Sequence, residues 1–366
     1  MIAYNFRAGG SVASSQAGAG QGKSASTPAT AYRSIHHGYR VAQAKANEQD
    51  LLDHVCGALG GAFPRQLITS YYVSLKTNPL VVLTGPEGAG KAALVTGFTS
   101  ALVGLESEQF VTIGSNSWTE QSGEQSYYQG VHERLGSLHF LDTLHEAANP
   151  ANLGKLYMVL LRGLTLDELR HYTRDLLQID ANGERRLALP GLAPAQRPVL
   201  PPNIFITATI HGPRMLSEAD REVLQLAGQI AFGPGSPDLG PLPIMPPPAV
   251  GLQRIMLGSA GNNPADARER LGAILGQRDL RRLGPSATLA RRLPNASALV
   301  RQLSDTIIAY VANSFDGDGR GLFDPRDARR NAQIAYDDQM TQRALDRMLP
   351  ARPRRGRITP FSPLVV

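Results

Sequence analysis

The sequence predicts an α/β protein: a parallel sheet with helices on both faces that carries a phosphate-binding loop, followed by a small all-α domain. Three observations predict it. The apolar strand Val81-Val82-Leu83 runs into the pattern G-x-x-x-x-G-K, from Gly85 to Lys91. Short apolar runs then alternate with helical segments up to about residue 232, the rhythm of a parallel sheet covered on both sides. Beyond the proline-rich stretch 233–251 the strand signals cease, and residues 265–349 are rich in Arg, Ala and Leu at helical spacing.

The elements follow in order. Residues 1–46 are dominated at their start by Gly, Ser, Ala and Thr, and no acidic residue precedes Glu48. That composition predicts a flexible N-terminal tail or an arm ordered by a partner. From Asn47 to Phe63 the spacing of Leu51, Leu52, Val55 and Leu59 predicts an amphipathic helix that stops at Gly60-Gly61. A second helix, Arg65 to Leu75, leads into the strand before the loop, and Ala92 to Leu102 reads as the helix after it. Buried strands are expected at Phe110–Ile113, Tyr157–Leu161, Ile204–Thr209 and Ile230–Phe232, with helices at Thr165–Leu177 and Ser217–Leu226 between them. Prolines 190, 194, 198, 201 and 202 make Asp180–Asn203 an inserted loop or hairpin. The division expected is a tail over 1–46, an α/β domain over 47–250, a helical domain over 251–350 and a basic, then apolar, tail over 351–366. Asp316-Gly317-Asp318-Gly319 resembles half a calcium loop but lacks a closing Glu, so it is expected to be a polar turn.

Composition excludes several classes. At 366 residues and 42% hydrophobic content the chain is globular, and no run approaches the roughly 20 apolar residues that a membrane span needs. A single cysteine, Cys56, rules out a disulfide framework and fits a reducing cytoplasm. Cys56 sits in an apolar helical stretch, a core position rather than that of a nucleophile. The net charge of +6 is compatible with an acidic partner such as nucleic acid, but such charges usually sit on solvated faces or in tails. The eight histidines show no metal-ligand spacing.

The loop carries the chemistry. Gly85, Pro86, Glu87, Gly88, Ala89, Gly90, Lys91 and Ala92 are the candidate nucleotide-binding residues. The glycines let the backbone wrap with its N–H groups inward, the following helix adds its positive end, and Lys91 reaches the outer phosphates as a point charge. ATP or GTP is the expected ligand. The position after the lysine normally offers a Ser or Thr hydroxyl to Mg²⁺; here it is Ala92, so the loop lacks one of its metal ligands.

Beyond the loop, Tyr71-Tyr72-Val73-Ser74-Leu75-Lys76-Thr77-Asn78-Pro79-Leu80-Val81-Val82-Leu83 resembles the lead-in to the loop of McrB-type AAA+ NTPases. Ser117-Trp118-Thr119-Glu120 looks like that family's W-T-D/E segment, and Pro201-Pro202-Asn203-Ile204-Phe205-Ile206-Thr207-Ala208-Thr209 is similar to its P-P-N-h-F-h-h-G-T strand. Ala335–Pro350, with Asp338-Gln339, resembles its final lid helix. The resemblance covers roughly residues 47–350. It implies an AAA+ core with a helical lid, and assembly with like or unlike AAA+ subunits in a bacterial defence or remodelling complex.

The same alignment of motifs shows what is missing. The family's Walker B strand ends in Asp-Glu; here Tyr157–Leu161 is followed by Arg162 and Gly163. The sensor Asn is replaced by His211, and the arginine finger by Leu226, with Asp220-Arg221 more than a helical turn away. Asp142 and Asp167-Glu168 are poor substitutes, one after an interrupted apolar run and the other a turn into a helix. An arginine finger contributes about 10³–10⁵ in rate and a positioned base about 10²–10⁴. The expectation is therefore a degenerate subunit that binds nucleotide and hydrolyses it poorly or not at all. Two other readings are an active ATP- or GTP-driven motor, and a nucleic-acid-binding assembly module using Arg162, the basic lid and the cluster Arg352, Arg354, Arg355 and Arg357.

Overall fold

The computed structural model describes residues 47–78, 80–104, 107–114, 140–164, 169, 186, 199–210, 224, 227–232, 250–259, 264–292 and 296–348. The chain begins there with α1 (Glu48–Ala58). The Asn47 side chain accepts from the N–H groups of Gln49 (2.8 Å) and Asp50 (3.1 Å), while the Asp50 carboxylate accepts from Asn47 N (2.7 Å). This reciprocal capping box fixes where the helix starts. Its apolar stripe, Leu51, Leu52 and Val55, is fully buried. α2 (Arg65–Thr77) follows and leads into β1 (Leu80–Thr84). The loop then opens α3 (Lys91–Val103).

The remaining strands are β2 (Phe110–Gly114), β3 (Tyr157–Leu164), β4 (Ile204–Ile210) and β5 (Gly228–Ala231). They form a five-stranded sheet in the order β2-β3-β4-β1-β5, with every pairing parallel. β1 thus lies between β4 and β5, where the chain's crossovers change direction. In open parallel sheets ligands bind beyond the carboxyl ends of the strands at such a switch point. Between β2 and β3 the helix α4 (Phe140–Ala148) is anchored on β3 by Tyr157 Oη, which donates to Glu146 Oε1 at 2.8 Å.

Alternation along the strands sorts the core. Val81, Leu83, Met158, Leu160 and Phe205 belong to one face, and α2 and α3 cover it. Phe98 of α3 meets Tyr71 of α2 edge-on, with ring centroids 5.1 Å apart. On that face the Tyr71 and Thr207 hydroxyls are hydrogen-bonded at 2.7 Å. The opposite face, with Leu80, Val82, Val159, Ile206 and Ala208, is buried as well. Strands buried on both faces read as continuous apolar runs, which is why they were visible in the sequence.

Among the described residues only helices follow β5 as regular elements: α5 (Val250–Ser259), α6 (Pro264–Leu275), α7 (Gln277–Arg282), α8 (Ala287–Arg292), α9 (Ala296–Asn313) and α10 (Ala328–Met348). α9 packs on α2, and α10 packs on β5. The fold class is the expected one, a parallel α/β sheet flanked by helices with an all-α part behind it.

The differences are at element ends. β3 runs on through Arg162 to Leu164, with an irregularity between Arg162 and Leu164 where Gly163 takes φ +69°. β4 supplies the reason: it continues to Ile210 and pairs with Leu164. β5 is Gly228–Ala231 rather than Ile230–Phe232, because its pairing with Val81–Thr84 sets its length. Asp142 does not end a strand, since it lies within α4. At Asp316 the expected polar turn is present: its Oδ1 accepts from Asp318 N (2.9 Å) and Arg320 N (2.8 Å). The segments read as tails, as the Trp118 motif, as the helix at Asp167-Glu168 and as the positions of His211, Asp220-Arg221 and Leu226 lie outside the described residues.

Candidate nucleotide-binding site

The site is built where β1 ends. Gly85, Gly88 and Gly90 all take positive φ, at +132°, +74° and +84°. Gly90 caps α3 in the left-handed region, and the first backbone bond of the helix runs from Leu94 N to Gly90 O at 2.9 Å. The N–H groups of Gly88, Gly90, Lys91 and Ala92 therefore meet no acceptor among the described residues. Backbone donors gathered at a helix N-terminus form a nest for an anion.

Gly85 is required for a second reason. A Cβ added there would lie 2.5 Å from Phe232 O and 2.8 Å from Phe232 Cβ. Phe232, just past β5, donates its N–H to Thr84 O at 2.8 Å. The edge strand thus presses on the turn into the loop, a contact that the sequence did not disclose.

Lys91 is 6% exposed. Its ammonium donates to Gly85 O at 2.8 Å and Pro86 O at 2.5 Å, folding the side chain back over the loop. Its third proton has no acceptor among the described residues. Burial holds the amine below the ordinary lysine pKa, with the Glu87 carboxylate partly opposing that shift. The arrangement suits a phosphate, which would satisfy the loop N–H groups and the remaining ammonium proton together.

The metal side of the site does not match. At position 92 there is a methyl group. At the carboxyl end of β3 stands Arg162, exposed, opposite Gly114 of β2 and Thr209 of β4. The Thr209 hydroxyl is already engaged, accepting from Gly163 N at 3.2 Å and donating to Leu161 O at 3.5 Å. Among the described residues no three His, Cys, Asp or Glu side chains converge on a point where a metal ion could sit. These residues do not fit a Mg²⁺ centre of the kind the resemblance implies. Hard divalent cations need oxygen ligands, and a guanidinium supplies only donors and positive charge.

Cys56 is half-buried on α1 against the core, and burial pushes its thiol pKa up, as befits an inert core residue. Asp338, noted in the sequence only as part of a lid-helix pattern, is half-buried in α10. Its Oδ2 accepts from Ser70 Oγ of α2 (2.9 Å) and Tyr310 Oη of α9 (2.7 Å). Gln342, one turn on, accepts from Ala231 N of β5 at 2.7 Å. α10 thereby holds the strand whose end presses on Gly85. Among the described residues no helix is long and apolar enough to cross a membrane.

No protein-family model matches the chain. No curated protein matches it. Among solved structures, that of C. elegans PCH-2 is similar at 14% sequence identity, covering 80% of this chain and 72% of that one, with a TM-score of 0.25. A likeness at that score carries no argument about shared function.

Proposed function

We propose that this protein is a degenerate AAA+ subunit that binds ATP or GTP through Gly85–Ala92 and hydrolyses it poorly or not at all. In this reading the nucleotide is structural or regulatory, and the subunit works within an oligomer of AAA+ chains. The observation that carries the proposal is the contrast within one site: the phosphate half keeps its geometry, while Arg162 stands where the Walker B pattern calls for a carboxylate. The McrB-like lead-in, Tyr71–Leu83, supports the finer family placement. A defence or remodelling complex is the setting it favours.

The test is binding and turnover measured side by side with labelled ATP and GTP, with and without Mg²⁺, beside Lys91→Ala. Binding that depends on Lys91, without turnover, supports the proposal. Turnover abolished by Lys91→Ala would instead establish an active motor. One observation favours an added nucleic-acid role. Arg278, Arg281 and Arg282 are exposed on α7 at i, i+3 and i+4, one face of the helix. Steeply salt-dependent binding of an oligonucleotide, lost in the triple Glu variant, is the result that reading requires.

A further inference from the structure

We infer that the loop takes a nucleoside polyphosphate in its metal-free form, with Arg162 supplying the positive charge that a divalent cation would otherwise bring. The inference rests on the nucleotide-binding reading above and goes further, to the ionic state of the ligand.

The sheet register places Arg162. It pairs with Thr209, and Thr209 pairs with Leu83, so the three residues share one row across β3, β4 and β1. Two residues beyond Leu83 is Gly85, where the loop begins. Residues in one row point to the same side of a sheet, and Leu83 belongs to the face covered by α2 and α3. Arg162 is therefore on the side of the sheet where α3 lies, at the edge where α3 presents its N-terminus. β3 and β1 are separated by two interstrand spacings, about 9.6 Å. A polyphosphate lying over the end of β4, between them, can be held from one side by Lys91 and from the other by an extended arginine.

The state of Arg162 agrees with such a task. It is exposed, and its side chain has no ion pair or hydrogen bond with any described residue, so its donors are unspent. A guanidinium binds phosphate with two parallel hydrogen bonds. It also repels a cation from the position that Mg²⁺ would need. Ala92 points the same way, because a metal-free phosphate has no use for the missing hydroxyl. The two departures from the usual loop, one a deletion and the other a reversal of charge, serve a single ionic state of the ligand.

The experiment is a titration of the full chain with fluorescent ATP and GTP analogues, in Mg²⁺ and in EDTA, for the unaltered protein and for Arg162→Ala, Arg162→Lys, Arg162→Asp and Lys91→Ala. The unaltered protein should bind at least as tightly in EDTA as in Mg²⁺. Arg162→Ala should weaken binding in EDTA about ten- to a hundredfold, the worth of a charge-assisted contact. Arg162→Lys should retain part of that affinity, and Arg162→Asp should bind better in Mg²⁺ than in EDTA. Arg162 is exposed, so these variants are expected to melt with the unaltered protein, which circular dichroism checks. A tenfold loss on adding EDTA to the unaltered protein, or Arg162→Ala within twofold of it in EDTA, overturns the inference while leaving Lys91-dependent binding intact. No binding in either buffer, or binding indifferent to Lys91→Ala, overturns the underlying nucleotide reading and the inference with it.

Discussion

Glu48→Gln is the change that should unfold this protein most readily for its size. Glu48 opens α1, where an acidic residue would be expected to face water and favour the helix dipole. It is instead 4% exposed. Its Oε2 accepts from Lys76 Nζ at 2.5 Å and from Tyr72 Oη at 3.1 Å. Lys76, 1% exposed, also donates to Asn313 O (2.8 Å) and Phe315 O (3.2 Å) at the end of α9, with its ammonium 5.5 Å from the Tyr72 ring centre. One buried ion pair therefore joins α1, α2 and the helical part. Gln keeps the size and one acceptor oxygen but removes the charge that balances the ammonium. Breaking a buried pair at one partner costs about 3–5 kcal/mol. Equilibrium urea unfolding followed by far-ultraviolet circular dichroism should show a loss of that size. The double variant Glu48→Gln/Lys76→Met should recover part of it, though Asn313 O and Phe315 O then lose a donor. A loss below about 1 kcal/mol, the range of an exposed pair, or a double variant as unstable as the sum of its parts, would refute the reasoning.

Two further predictions follow from the site and its supports. Asp338 has its pKa raised, chiefly by desolvation, with Tyr310 and Ser70 partly opposing. A raised folded-state pKa gives stability that is complete below the ordinary carboxylate value of about 3.9 and is lost as pH rises through the folded value. Asp338→Asn, which still accepts from both hydroxyls, should therefore leave the protein equally or more stable at pH 7 and flatten the fall of its melting temperature as pH rises above the ordinary carboxylate value; a steeper fall with pH would contradict this. Gly85→Ala should depress both stability and phosphate binding, since its Cβ meets the Phe232 backbone. Gly88→Ala, with nothing within 4 Å, should cost only its left-handed backbone, about 1–2 kcal/mol; equal losses in thermal melts and nucleotide titrations would show that β5 does not press on the loop.

The sequence made the loop and the strands legible because both are local signals. Gly85–Lys91 has fixed spacing, and strands buried on both faces are uninterrupted apolar runs. Arg162 was legible as a misfit because it follows such a run directly. The ends of the strands were not, since β3 extends to Leu164 only through its pairing with β4. The supports of the site were also hidden. Lys76 and Asn313 are 237 positions apart, and Ala231 and Gln342 are 111 apart. Polar side chains such as Glu48 and Lys76 read as surface residues in a linear pattern, and only long-range packing buries them.

The way α10 is attached bears on what nucleotide binding could accomplish without turnover, as proposed above. α10 touches the α/β core through Asp338 on α2 and Gln342 on β5, four residues apart and so on one face of the helix. β5 in turn carries Phe232 against Gly85, and α2 carries Ser70 and Tyr71 beneath the sheet. The turn into the loop is thus set by the same edge of the sheet that α10 grips. A phosphate seated on the loop would stabilise the arrangement of β1, β5 and α10 by mass action, about 2.7 kcal/mol at a hundred times its dissociation constant. That linkage needs binding alone. In the proposed reading, in which turnover is lost, this linkage would persist, whereas loss of Gly85 or Lys91 would remove it.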